Sequence, residues 1–253
     1  MEEIKVIPLG TVSPYPKDNM NCPGFLVKYN NSKILLDCGN GTTRLLRFPN
    51  DLNNLNVIIT HYHKDHFSDI GSIQYSSYVY HNLGLLKNKV NVFLPKKDYC
   101  YNRKSILENN ESYCNYIDIE DETIFDIDNL KVVLEDNKSH TIESFMVKLK
   151  SESFKIVYTS DIGVSNFDKL IEFCKDSDLL ICESSLLKIY NLENTTHMTA
   201  YDAGRLAKLA NVKKLLLTHF WPEADKKEYL KEAKLNFKEV DVATEGKVLR
   251  LKK

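Results

Sequence analysis

Residues 57–71 read VIITHYHKDHFSDIG. The opening VIIT is an apolar, β-branched run of the kind that forms a buried strand, and the close leads into a stretch with helical spacing over residues 69–81. Between them stand His61, His63, Asp65 and His66, three imidazoles and a carboxylate within six positions at the end of a rigid element. A divalent metal of borderline softness requires such donors. Spacing divides the set: His61 and His63 are two apart, so in extended backbone they point the same way and can share one ion. Asp65 and His66 follow the bend and can face a second. A lone histidine is usually a packed or surface residue, whereas four metal-competent side chains in the pattern HxHxDH form a metal loop.

Strands of the same texture recur along the chain, beginning at Ile4, Gly24, Lys33, Val90, Leu130, Phe145, Phe154, Leu179, Lys214 and Lys247. Helical spacing appears over 69–81, 166–174, 199–210 and 225–235. The first third is strand and short turn, and the last hundred residues alternate strand with helix. This is an α/β pattern suited to two packed sheets with outer helices. With no repeat at a fixed period, no low-complexity tract and no Gly/Ser/Pro linker, one domain over residues 1–253 is expected. Remote ligands should come from the carboxyl ends of other strands. His140 follows VVLEDNKS, Asp161 follows KIVYTS and His219 follows KLLLT, each at or soon after such an end. His81, on a helical stretch, is read as structural.

Composition narrows the function classes. Hydrophobic residues make up 43% and charged residues 27% of 253, enough to bury a full core, and the net charge of −1 gives no global pull towards nucleic acid. The segment from Lys87 to Lys104 holds six basic residues against Asp98 and reads as a solvated face. The start MEEIKVIPLG has no signal-peptide form and no run of 18 apolar residues occurs, so a cytoplasmic protein without membrane contact is expected. Six cysteines without a CxxC pair are expected to be reduced, packed thiols.

HYHKDH at 61–66, His140, YTSD at 158–161 and LTH at 217–219 together resemble the successive metal-binding motifs of the metallo-β-lactamase superfamily, and LLDCG at 35–39 resembles its early strand-and-turn motif. The resemblance spans nearly the whole chain. It implies an αββα sandwich of two mixed β-sheets flanked by helices, binding two divalent ions, zinc by preference with manganese or iron as alternatives. Carried over, His61, His63 and His140 bind the first ion, Asp65, His66 and His219 the second, and Asp161 bridges both. Asp37 becomes a carboxylate that orients a ligand; its alternative is an ordinary turn-capping Asp.

The branch is narrowed by HMTAYDAGRLAKLANVKKLLLTHF, residues 197–220. His197 at the start of a helix resembles the extra histidine of the ribonuclease Z group and its small phosphodiesterase relatives, with Glu183 of LLICESS as its acidic partner. A helix N-terminus there also offers N–H groups to a phosphate. The oxygen-reducing branch carries Glu where this chain has His63, which disfavours iron redox chemistry. Ribonuclease Z proteins also carry a tRNA-gripping arm between the motifs matching His140 and Asp161, which here are only 21 positions apart. The turn after the first strand reads GTVSPYP rather than a glycine-rich run. The chain is therefore most similar to the short, arm-less YhfI-like proteins of bacteria. A two-metal phosphodiesterase acting on a small phosphodiester, a nucleotide or a short RNA end is expected, with Asp65, His197 and Glu183 taking part in the chemistry and His197 donating a proton to the leaving oxygen. The alternatives are a tRNA 3′-processing endonuclease, a thioesterase of the glyoxalase II kind, for which the 34 residues after His219 leave little room, and a non-catalytic metal-bound binding protein. Family habit implies a homodimer.

Overall fold

In the computed structural model, which describes residues 2–190, 192 and 195–253, the apolar runs become the strands of two sheets. The chain divides into two compact units, Met1–Glu120 with Thr244–Lys253, and Asp121–Ala243. Among the described residues each unit holds one seven-stranded mixed sheet with helices beside it, the α/β class expected.

The first unit contains β1 (Glu3–Gly10), β2 (Gly24–Tyr29), β3 (Ser32–Leu36), β4 (Leu55–Ile58), α1 (Lys64–Phe67), α2 (Ile70–Asn82), β5 (Val90–Pro95), α3 (Asn102–Leu107) and β6 (Cys114–Ile119), joined by the chain's final strand, β14 (Leu249–Lys252). Its sheet runs β14-β1-β2-β3-β4-β5-β6, antiparallel from β14 to β3 and parallel from β3 to β6. β4 is buried at all four positions because a central parallel strand is covered on both faces. Each such Leu, Ile or Val contributes about 1.5–3 kcal/mol relative to exposure, which fixes the strand end from which the metal loop departs.

The second unit contains β7 (Ile124–Ile127), β8 (Leu130–Asp136), β9 (Phe145–Lys150), β10 (Lys155–Tyr158), α4 (Phe167–Cys174), β11 (Leu179–Glu183), α5 (Ala200–Leu209), β12 (Leu215–Thr218), α6 (Lys226–Ala233) and β13 (Val240–Val242). Its sheet repeats the plan of the first: antiparallel from β7 to β10, parallel from β10 to β13. Thr199 caps α5 by accepting from the Asp202 amide and Asp225 caps α6 by accepting from that of Lys227. His140 and Asp161 are separated by little more than the β9–β10 hairpin.

Three strands lack a counterpart in the apolar pattern: β6, β7 and β13. All three are sheet edges, and β6 and β7 carry exposed or polar residues at most positions. Edge strands shed continuous apolar runs because one side faces water. The basic segment also forms a helix, α3, and much of its charge is locally paired: Arg103 with Asp118, Lys104 with Glu108, Lys96 with Glu120. No helix among the described residues is long and apolar enough to cross a membrane. The six cysteines are unpaired, and all but Cys100 are buried.

Candidate metal centre

In the first unit the metal loop begins where the β4 ladder ends at Ile58, and Thr60, His61, Asp65 and His66 are all buried. The His61 ring lies 4.1 Å from that of His66 and 4.8 Å from that of His63, centroid to centroid. His66 Nε2 is 3.6 Å from Asp65 Oδ2. Asp37, just past β3 and fully buried, organises this group. Its carboxylate accepts from the Thr60 amide (2.8 Å), from Thr60 Oγ1 (2.9 and 3.0 Å) and from His66 Nδ1 (2.8 Å). Asp37 is thus a carboxylate that orients His66. Gly39 lets the turn pass: a Cβ there would lie 1.9 Å from the Asp65 carbonyl oxygen.

In the second unit the corresponding strand ends carry Asp161 after β10, Glu183 at the end of β11 and His219 after β12. One ligand atom from each of Asp161, Glu183, His197 and His219 lies within 4.8 Å of the others. Asp161 stands between two imidazoles, with Oδ1 2.9 Å from His219 Nε2 and Oδ2 3.8 Å from His140 Nε2. Glu183, 1% exposed, pairs with His197 Nδ1 through Oε1, which also accepts from Ser185 Oγ (2.8 Å), while Oε2 accepts from the amides of Ile162 (2.9 Å) and Met198 (3.2 Å). Burial disfavours the charged imidazole of His197, but the charge and hydrogen bond of Glu183, with Asp161 beyond it, outweigh that and hold it above its ordinary value.

The hydrogen bonds fix which nitrogen each histidine offers. His66 Nδ1 faces a carboxylate and His140 Nδ1 a carbonyl oxygen (Thr196, 3.3 Å), neither of which can donate, so both Nδ1 atoms carry the proton. Thr60 Oγ1 spends its proton on Asp37 and therefore accepts from His61 Nδ1 (3.1 Å); Ser185 Oγ spends its own on Glu183 and accepts from His219 Nδ1 (2.6 Å). His197 Nδ1 donates to Glu183. Five imidazoles are thus anchored through Nδ1–H, which reserves Nε2 for a metal ion or for a proton in transit. Buried carboxylates as close as Asp161 and Glu183 repel one another, and a divalent cation offsets that cost. The donor sets fit metal ions on both counts.

The cysteines beside this loop take no part as thiolates. Burial and the Asp65 charge push the Cys22 thiol up to about 12, and burial raises Cys38 as well.

Sequence reasoning missed Ser13, which donates to Asp65 Oδ2 (2.7 Å) from the turn after β1, and Thr60 and Ser185, which set imidazole tautomers. Adjacency was the available signal: Thr60 precedes the HxHxDH run and Ser185 follows Glu183. One expectation is corrected. The N-terminus of α5 does not offer its amides to a phosphate, because those of Ala200, Tyr201 and Asp202 are taken by the Leu186 carbonyl, the Glu232 carboxylate and Thr199 Oγ1. His81 stacks on Tyr113 at 3.5 Å, a structural role.

The beta-lactamase superfamily domain model matches residues 32–220, and the chain belongs to this superfamily of metallo-hydrolases. Among individual proteins it is similar to the probable metallo-hydrolase YhfI of Bacillus subtilis, with 29% identity over 96% of this chain and 98% of that one. The crystal structure of YhfI superposes with a TM-score of 0.87 at 26% identity, covering 99% of this chain and all of the other, which establishes the metallo-β-lactamase fold, two mixed seven-stranded sheets flanked by helices. Ribonuclease Z of Saccharolobus islandicus (strain L.S.2.15 / Lassen #1) is 28% identical over 92% of this chain and 94% of its own. A diphosphatase of the PhnP family shares the fold, with a TM-score of 0.77 at 14% identity over 98% of each chain.

Proposed function

We propose that this chain is a two-metal phosphodiesterase acting on a small phosphodiester or a nucleic-acid end. The observation that carries the reading is the buried Glu183 paired with His197, because lactam or thioester cleavage gives such a pair no evident task. His61, His63 and His140 would hold one ion and Asp65, His66 and His219 the other, with Asp161 shared; the Nδ1–H anchors and the position of Asp161 between His140 and His219 support this assignment. Bound divalent ions lower the pKa of water and neutralise charge developing on a phosphoryl group.

The protein's own groups supply the rest. Asp37 and Thr60 hold His66 and His61 through Nδ1 and so leave Nε2 as the ligating nitrogen. Ser185 does the same for His219 while bonding Glu183, so the residue that orients a ligand also steadies the acid pair. Glu183, clamped by two backbone amides, keeps the proton of His197 on Nδ1 and raises the basicity of Nε2, which carries a second proton to the leaving oxygen. Asp65, steadied by Ser13, takes part as ligand and as an acceptor for the proton of the attacking water.

Zinc suits imidazole and carboxylate donors, with manganese and iron(II) as alternatives. We take the two units as halves of one hydrolase domain, since the matched stretch 32–220 crosses both. A homodimer is supported by Tyr75, Tyr78, Leu83 and Leu85, exposed on and just after α2, and a cytoplasmic setting by the unpaired cysteines. Processing of tRNA is the second reading, supported by the ribonuclease Z relatives; only a short hairpin joins the segments carrying His140 and Asp161, which favours smaller substrates. The test is hydrolysis of bis(4-nitrophenyl) phosphate by zinc- or manganese-loaded protein beside a glutathione thioester. Phosphodiester turnover alone is expected, and thioester turnover alone overturns the proposal.

A further inference from the structure

Ser185, Leu186, Tyr190 and Trp221 line a cavity of about 240 Å³ in the second unit. Two of its walls are aromatic rings left 42% (Tyr190) and 44% (Trp221) exposed. A third wall is Ser185, whose hydroxyl bonds both Glu183 Oε1 and His219 Nδ1, so the cavity adjoins the acid pair and a candidate ligand.

The cavity is held open by its own scaffold. Tyr229 is buried; its hydroxyl donates to the Ser185 carbonyl (3.2 Å) and accepts from the Trp221 amide (3.3 Å). Glu232 on α6 accepts from the amides of Lys188 (2.9 Å) and Tyr201 (3.0 Å), pinning the segment that carries Tyr190 to α5 and α6. The rings are therefore presented in a fixed place at little ordering cost on binding.

Its size falls below the about 300–1,000 Å³ of pockets for drug-sized ligands and suits a single planar ring system. Among the described residues nothing charged lines it, and the Ser185 hydroxyl is already engaged with Glu183 and His219, so hydrogen-bond readout is confined to the polar tips of the Tyr190 and Trp221 rings. Exposed aromatic walls are how proteins stack nucleobases with tolerance for which base is present. Resting on the phosphodiesterase reading, we infer that this pocket receives the nucleobase of a nucleotide-bearing phosphodiester, whose phosphate then lies towards His197 and His219. The substrate class is thereby narrowed to nucleotidyl esters, with weak base preference.

Trp221 is the only tryptophan of the chain, so its fluorescence reports on this pocket. Metal-loaded full-length protein is titrated with adenosine 5′-monophosphate, uridine 5′-monophosphate and ribose 5-phosphate, the sugar phosphate controlling for phosphate binding. Both nucleotides are expected to quench saturably with similar affinity and ribose 5-phosphate to leave the signal unchanged. Tyr190→Ala, at an exposed position, is expected to weaken adenosine 5′-monophosphate about 5- to 150-fold, the span of about 1–3 kcal/mol per stacked base at about 1.4 kcal/mol per tenfold. Tyr190→Phe should retain it. Equal responses to nucleotide and sugar phosphate, or unchanged affinity in Tyr190→Ala, overturn the inference. Turnover of methyl 4-nitrophenyl phosphate, which has no base, is measured alongside: its absence sinks the phosphodiesterase reading while the titration still decides the pocket.

Discussion

Replacing Asp37 by Asn tests the arrangement of the metal loop with little steric change. Asp37 sits at φ +59°, a left-handed conformation that Asn tolerates, so the substitution adds little backbone strain. The amide can be seated two ways. With its oxygen towards His66 Nδ1–H, its NH₂ faces the Thr60 amide, 2.8 Å from the present oxygen, donor against donor in a fully buried site. An unsatisfied buried donor costs about 1–3 kcal/mol. Turned the other way, it accepts from Thr60 and donates to His66 Nδ1, which must then be bare, leaving the proton on Nε2. The metal-free protein adopts this second seating because it leaves fewer donors opposed. Binding a metal through Nε2 then requires the first seating, and the cost of switching, about 1–3 kcal/mol, appears as a loss of affinity of about 5- to 150-fold. That agrees with the 10- to 100-fold known in general for groups that orient metal ligands. The assay is competition for zinc against a chromophoric chelator, with denaturant unfolding of both metal-free proteins. Weaker zinc binding with near-unchanged metal-free stability is expected; zinc affinity within about twofold of the parent would refute the tautomer argument.

Four further substitutions follow from the same geometry. His197→Ala should lower kcat on a phosphodiester with a poor leaving group by about 10²–10⁴ and on a 4-nitrophenyl ester far less; equal turnover of the poor substrate removes His197 from the mechanism. Because His197 must be protonated to act and Glu183 raises its pKa, activity should fall as pH rises through a value above the ordinary one, and in Glu183→Gln that descending limb should move to lower pH. Asp161→Ala should reduce bound metal from about two ions per chain to one or fewer and abolish hydrolysis, as metal analysis of dialysed protein will decide. Gly39→Ala forces a Cβ to within 1.9 Å of the Asp65 carbonyl and 2.8 Å of Cys22 Cβ, and should destabilise by about 1–3 kcal/mol in denaturant unfolding while lowering metal content; an unchanged midpoint contradicts the close approach.

The strands legible in the sequence are those the sheets bury. LNVI of β4, KIVY of β10, LLICE of β11 and LLLT of β12 lie in the parallel halves and read as mainly apolar runs. CNYIDI of β6 and IFDI of β7 were invisible because an edge strand gains its place by pairing with a neighbour already laid down, and its own side chains need satisfy only one side. The four helices expected from periodicity form within a residue or two of the expected bounds, whereas α1 and α3, at four and six residues, are too short for any period to emerge.

The candidate site divides along a similar line, but by chemistry. Histidines and buried acids at strand ends are conspicuous because few other roles place them there; His197 and Glu183 entered only through the resemblance to the ribonuclease Z group, whereas His140, Asp161 and His219 could be picked out one by one. What places the proton on each imidazole could not. Thr60, Ser13 and Ser185 are common surface residue types, and each matters only through one hydrogen whose direction depends on a partner far away in sequence: Thr60 on Asp37, Ser13 on Asp65. Ser185 is decisive because its single proton goes to Glu183, which obliges it to accept from His219 and leaves His219 Nε2 towards Asp161. Ser185→Ala removes only an oxygen, yet it frees His219 to take the other tautomer and takes one donor from the carboxylate that holds His197. Ligand orientation and proton delivery therefore rest on the same hydroxyl, and a local change there should alter both together.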